Sequence, residues 1–148
     1  MNMLADKSTA EAEVRELVNQ WLTSVHAQDI DGIVSHYAPD FLAFDAVSQL
    51  QFKDVESYKK HWAACLEMCP GQLVFEHHDL RVTAGDGVAF SHCLQRCGAS
   101  GENGEEKVSW MRMTACYRKV KGRWKVAHEH FSLPFDMQSG KALFDLKP

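Results

Sequence analysis

Residues Trp124–Pro134 read WKVAHEHFSLP and form the most informative segment of the chain. Because side chains alternate along a β-strand, every second residue of the segment is expected on one face: Trp124, Val126, His128, His130 and Ser132. This face begins as apolar core and becomes polar, as in a strand that runs from a packed sheet into the wall of a pocket. Half-buried imidazoles need a hydrogen-bond partner, a proton or a ligand, so the segment predicts a functional site.

Length and composition indicate a single globular domain over residues 1–148, with 45% hydrophobic and 24% charged residues. A net charge of −4 without a basic stripe argues against nucleic acid as a partner. Apolar runs are too short for a membrane span, and Met1–Ala10 lacks the apolar centre of a signal peptide. Five cysteines cannot all pair within one chain, so we expect a reduced, cytoplasmic protein.

Three amphipathic helices are predicted in the first half of the chain. A capping box at Ser8–Glu11 starts the first helix, and an apolar stripe at helical spacing follows over Val14–Val25. A short second helix covers Ile30–Tyr37, and a third carries its buried stripe over Val55–Leu66. These helices supply apolar faces that must pack on another layer.

Alternating patterns follow the helices and predict a meander of four strands over Leu73–Thr83, Val88–Cys97, Lys107–Lys119 and Arg123–Leu133. A shorter strand, Phe41–Phe44, leads into Asp45. Helices followed by an antiparallel meander indicate an α+β fold, with three helices packed on a curved, mainly antiparallel sheet.

Three side-chain types are candidates for chemistry. Arg112 is expected to point inward, where either Asp45 or a ligand carboxylate would pair its guanidinium. Asp45 is a candidate base or orienting group, and His128 and His130 are candidate general bases or hydrogen-bond donors. Other histidines on the helices, including His61, are expected at the surface or its boundary.

Further side chains are expected to line the same pocket and to contact a ligand: Tyr37, Trp62, Phe90, His92, Trp110 and Ser132. We expect neither a metal nor a cofactor. A zinc site at His92, His128 and His130 stays open as an alternative, since three imidazoles are a known zinc ligand set.

Four segments resemble one family: Phe41–Asp45, Asp86–Phe90, Ser109–Thr114 and Trp124–Asp136. The chain resembles the nuclear-transport-factor-2-like superfamily, in particular its SnoaL-like, ketosteroid-isomerase-related bacterial branch. The resemblance implies a cone-shaped fold with a pocket between the helices and the concave sheet. It also implies a homodimer or larger homo-oligomer formed through the outer sheet face, towards which Glu129, Phe131 and Leu133 would point.

The resemblance implies binding of a small molecule, with two possible functions. One is a cofactor-independent acid/base enzyme of isomerase, cyclase or dehydratase type, acting on a small polar or anionic organic compound. The alternative is a non-catalytic ligand-binding or oligomerisation module, like the calcium/calmodulin-dependent kinase association domain. An unpaired polar group facing a cavity of a few hundred Å³ would favour the enzyme. Full pairing of Arg112 by Asp45, with both histidines bonded only to protein groups, would favour the module.

Overall fold

The computed structural model describes residues 3–148, in which helices pack on one face of a five-stranded sheet. The helices are α1 (Met3–His26), α2 (Ile30–Ser35) and α3 (Val55–Glu67). The strands are β1 (Tyr37–Phe44), β2 (Gln72–Ala84), β3 (Val88–Ser100), β4 (Glu106–Val120) and β5 (Arg123–Ser132). The predicted α+β class is confirmed. Within the described residues, no helix has the length and apolarity needed to cross a membrane.

The sheet has the strand order β1-β5-β4-β3-β2. Strands β2 to β5 form the predicted antiparallel meander, and β1 pairs in parallel with β5 at one edge. Because β1 runs beside β5, its final residues lie next to the C-terminal half of that strand. This pairing places Asp45, which follows β1, at the rim of the sheet facing α3.

The first half of the chain differs from the prediction at two boundaries. Helix α1 begins at Met3, so Ser8–Glu11 lies inside the helix and does not cap it. Tyr37 begins β1 and does not end α2. Pro39 is tolerated in β1 because an edge strand can leave a backbone position without a ladder hydrogen bond.

The core lies between α1, α3 and the inner face of the sheet. The stripe on α1 is buried as predicted, with Val14 and Val25 fully inaccessible and Trp21 at 2% exposure. From α3, Tyr58 and Trp62 pack onto this layer, and the Trp62 ring meets Trp21 edge to face. Burial of these large apolar side chains is the main term that stabilises the fold.

Strand β5 contains an extra residue, Ala127, that reverses its two faces. Val126 lies opposite Tyr117 and His128 opposite Cys116, so Ala127 has no partner on β4. A single extra residue shifts every later side chain to the other face. The prediction that these alternate residues share one face is therefore wrong beyond Val126, because His128 and His130 point to the outer face. Glu129 and Phe131, expected on the outer face, are buried at 1% and 5% exposure.

Candidate functional site

A cavity of about 300 Å³ opens between α3, the segment after β1 and the inner face of the sheet. Most of its wall is apolar or sulfur-containing: Val47, Trp62, Cys65, Leu66, Met68, Cys69, Leu73, Phe75, Cys97, Met111 and Phe131. Polar side chains reach it at Asp45, His61 and Gln95. An apolar hollow of this size with a few polar groups is typical of a small-molecule site.

Asp45 is held at the cavity by protein hydrogen bonds. The Tyr58 hydroxyl donates to its Oδ2 at 3.0 Å, and the Val47 backbone N–H donates to its Oδ1 at 3.0 Å. The Asp45 side chain is 10% exposed. These donors fix the carboxylate with one oxygen turned towards α3, where His61 lies.

His61 lies beside Asp45, with 3.4 Å between its Nε2 and the Asp45 Oδ2. The same Nε2 is 3.6 Å from the Cys65 sulfur. The Asp45 contact, followed by the Cys65 contact, raises the pKa of His61 to about 9, although burial opposes the rise. At neutral pH the site therefore holds an imidazolium next to a carboxylate, inside an apolar wall.

The sequence does signal His61, although the histidine falls outside the main apolar stripe of α3. Tyr58, His61 and Cys65 are spaced three and four residues apart, which places them along one side of a helix. His61 lies at the boundary of the core, one of the two positions expected for it, and the pocket opens along this side of α3. Its side chain is only 9% exposed.

A second carboxyl group lies behind Asp45 in the core. The Tyr37 hydroxyl donates to Glu129 Oε2 at 3.1 Å and accepts from Trp21 Nε1 at 3.3 Å. Burial raises the pKa of Glu129 to about 8, with the Tyr37 hydrogen bond opposing the rise and the charge of Asp45 adding to it. Glu129 is thus mostly protonated at neutral pH, which lets it remain buried near Asp45.

Gln95 adds a buried polar group to the cavity wall. Its side chain lies on β3 at 1% exposure, and its Oε1 has no hydrogen-bond partner among residues 3–148. An unpaired buried acceptor costs about 1–3 kcal/mol. Less than 1 Å² of this oxygen is accessible, so Gln95 contributes to the cavity wall through its other atoms. No pattern in the sequence distinguishes Gln95 from an ordinary strand residue.

Arg112 does not face the cavity, so its expected inward orientation and pairing with Asp45 are wrong. It is exposed on the outer face, where its Nε donates to Ser132 Oγ at 3.0 Å. The reason is that Met111 and Met113 take inner positions of β4, so Arg112 between them faces outward. Both sets of alternating residues on β4 contain apolar side chains, so the sequence does not show which set faces the cavity.

The remaining predicted residues divide between the cavity, the core and the outer face. Trp62 lines the cavity, whereas Tyr37 is buried in the core with Glu129. His128 and His130 pack against the Phe44 ring at centroid distances of 4.7 and 5.6 Å, and His128 Nδ1 donates to the Leu42 carbonyl at 2.6 Å. The other residues on the outer face are Phe90, His92, Trp110 and Ser132.

The alternative of a zinc site at His92, His128 and His130 has no geometric support. Across residues 3–148, no three His, Cys, Asp or Glu side chains converge in a way that could hold a metal ion. The cysteines are free thiols, and Cys65, Cys69 and Cys97 line the cavity.

Comparison with known proteins places the chain in a family. A sequence model described as a SnoaL-like domain matches residues 14–136. A solved NTF2-like protein of unknown function from Pseudomonas putida KT2440 is 46% identical, with a TM-score of 0.88, over 95% of this chain and 98% of that one. No curated protein matches the chain significantly.

Two distant structures share the fold alone. A ketosteroid isomerase-like protein from Erwinia carotovora atroseptica SCRI1043 has a TM-score of 0.68 and 15% identity, over 82% of this chain and 94% of that one. The association domain of CaMKII from C. elegans has a TM-score of 0.70 and 14% identity, over 86% and 98%. The fold thus occurs in proteins described in very different terms, and function must be argued from the site.

Proposed function

The chain belongs to the SnoaL-like domain family, and we propose that its cavity binds a small, largely apolar organic molecule on which Asp45 and His61 perform cofactor-independent acid–base chemistry. The observation that carries the proposal is the pair itself. A carboxylate and an imidazolium lie 3.4 Å apart at the wall of an apolar cavity of about 300 Å³. Such a pair can accept a proton at one atom of a ligand and donate a proton at another.

Each member of the pair has a distinct role at neutral pH. His61, whose pKa is raised to about 9, carries the proton and acts as the acid towards a carbonyl or hydroxyl oxygen. Asp45 accepts a proton from the adjacent carbon, and its hydrogen bonds from Tyr58 and Val47 keep it oriented. Proton removal at carbon with protonation at oxygen is the shared step of isomerisation, cyclisation and dehydration.

The wall of the cavity favours an apolar ligand over an anionic one. Arg112, the anchor expected for a ligand carboxylate, lies on the outer face. The Asp45–His61 pair at the cavity wall supports the enzyme over the alternative of a non-catalytic binding or oligomerisation module, which would need no acid–base pair.

The experiment uses the bicyclic ketone 2-tetralone as the probe. In D₂O, we expect the protein to accelerate exchange of the α-hydrogens of the ketone, followed by proton NMR. Asp45→Asn keeps the shape of the side chain but removes the base, so exchange should fall by roughly 10²-fold or more. Arg112→Ala is the matched control and should exchange at the wild-type rate.

Two results would count against the proposal. If Asp45→Asn exchanges the ketone as fast as wild type, Asp45 is not the base. If 2-tetralone raises the melting temperature of the wild-type protein but its α-hydrogens exchange no faster than without protein, the cavity binds the ketone without catalysing proton transfer. That result favours the non-catalytic module.

A further inference from the structure

Sulfur is concentrated on the wall of the cavity. Three thiols, Cys65, Cys69 and Cys97, line it together with the thioethers of Met68 and Met111. The proton transfer proposed above uses none of them. Their surroundings differ enough to single out one.

Cys65 lies one helical turn after His61 on α3, and its Sγ is 3.6 Å from the His61 Nε2 and 4.0 Å from its Nδ1. The imidazolium is thus within contact distance of the sulfur, which is the nucleophilic atom in cysteine chemistry. Cys65 is half-buried and lines the cavity, so a molecule held in the cavity lies beside it.

The other thiols are in settings that disfavour the thiolate. Burial raises the pKa of Cys97 to about 11, and the Cys97 thiol donates to the Met111 Sδ, with 3.5 Å between the two sulfurs. Burial raises the pKa of Cys69 as well, and that of Cys93 to about 12. Cys69 and Cys97 are therefore internal comparisons for Cys65 within the same cavity.

The cavity has features of a ligand site independent of the thiol. Gln95, at 1% exposure, is another residue of its wall, and its Oε1 has no hydrogen-bond partner within residues 3–148. A volume of about 300 Å³ is ample for a small ring compound held by its apolar surface. A small electrophile would thus be held near Cys65.

We infer that Cys65 is a reactive nucleophile that forms a covalent adduct with small α,β-unsaturated carbonyl compounds bound in this cavity. The Cys65 thiol first loses its proton to water. The thiolate sulfur then bonds to the β-carbon of the ligand, and the carbon–carbon π electrons move to the carbonyl oxygen as an enolate.

The His61 imidazolium donates its proton to the enolate and regains one from water. The enol becomes the saturated ketone, so the thiol hydrogen is in effect transferred to the α-carbon and no oxidant or reductant is required. The inference uses the cavity of the proposed function but a different atom and a different product.

The test exposes the folded protein to 2-cyclohexen-1-one at neutral pH, with mass spectrometry of the intact chain and of its peptides at successive times. We expect Cys65 to be modified at least about tenfold faster than Cys69, Cys97 and free N-acetylcysteine, because only Cys65 is next to an imidazolium. Saturated cyclohexanone is the control compound and should give no adduct. Cys65→Ser should abolish the fast phase.

His61→Asn and His61→Gln, each checked for a wild-type melting transition, should slow modification of Cys65 by about tenfold. Modification of Cys65 no faster than Cys69 would overturn the inference, as would an unchanged rate in both His61 variants. An adduct without ketone exchange would refute only the proposed function. Exchange without an adduct at Cys65 would refute only this inference.

Discussion

At the scale of single residues, His61 is the group whose charge the fold controls. Its pKa is raised from 6.5 to about 9 by Asp45 and then by Cys65. Because the folded state holds the proton more tightly than the unfolded chain, this contact stabilises the fold fully below about pH 6.5. The stabilisation is lost as the pH rises through 9, where folded His61 also becomes neutral.

We therefore expect the wild-type protein to lose its stability advantage over His61→Gln between pH 6 and pH 10. The loss should be about 1–2 kcal/mol, less than a fully buried pair would give, because solvent reaches the open cavity. Urea unfolding of both proteins at pH 6, 8 and 10 measures it. The comparison cancels the titration of Glu129, and a difference that does not change with pH would contradict the pairing of His61.

At the scale of elements, regular spacing predicts much of this fold. The apolar stripes over Val14–Val25 and Val55–Leu66 are sufficient to place two helices on the sheet. The extra residue in β5 has no such signature. After Ala127, one set of alternating residues contains two histidines and the other contains Glu129 and Phe131, so a period of two does not decide which set is buried.

The candidate site was only partly predictable for a related reason. Asp45 is recognisable because it follows a short strand that leads out of the sheet. Its partner His61 comes from another element and lies outside the main stripe of α3, so only the packing of α3 over the sheet brings the two together. Contacts between elements distant in sequence leave no local pattern.

The reversed face of β5 gives a test on two neighbouring residues. Phe131→Ala removes a ring that is 5% exposed, and should destabilise the fold by about 3–5 kcal/mol in urea unfolding. His130→Ala, one position earlier on the exposed face, should change stability by no more than about 0.5 kcal/mol. The opposite order of effects would mean that β5 alternates without interruption at Ala127.

At the scale of the whole molecule, the sheet separates two surfaces with different chemistry. The inner face carries the cavity with Asp45 and His61, and the outer face carries Arg112, His92 and the exposed ring of Phe90. The predicted site residues on the outer face cannot reach the cavity, so they have no role in binding its ligand. We propose that the outer face pairs with a second copy of the chain, as the family resemblance implies.

Thr114 is suited to testing this pairing because it is exposed on β4, between strands β3 and β5 on the outer face. Sedimentation should give the wild-type protein about twice the chain mass of 16.7 kDa. Thr114→Arg adds a positive charge next to Arg112, His92 and His130. In a symmetric contact the same group comes from both copies, and the like charges repel. This variant should therefore sediment as a single chain. Asp45→Asn alters only the inner face and should keep the wild-type mass. A wild-type protein that remains monomeric at about 100 µM, far above the dissociation constant of a stable dimer, would rule the contact out.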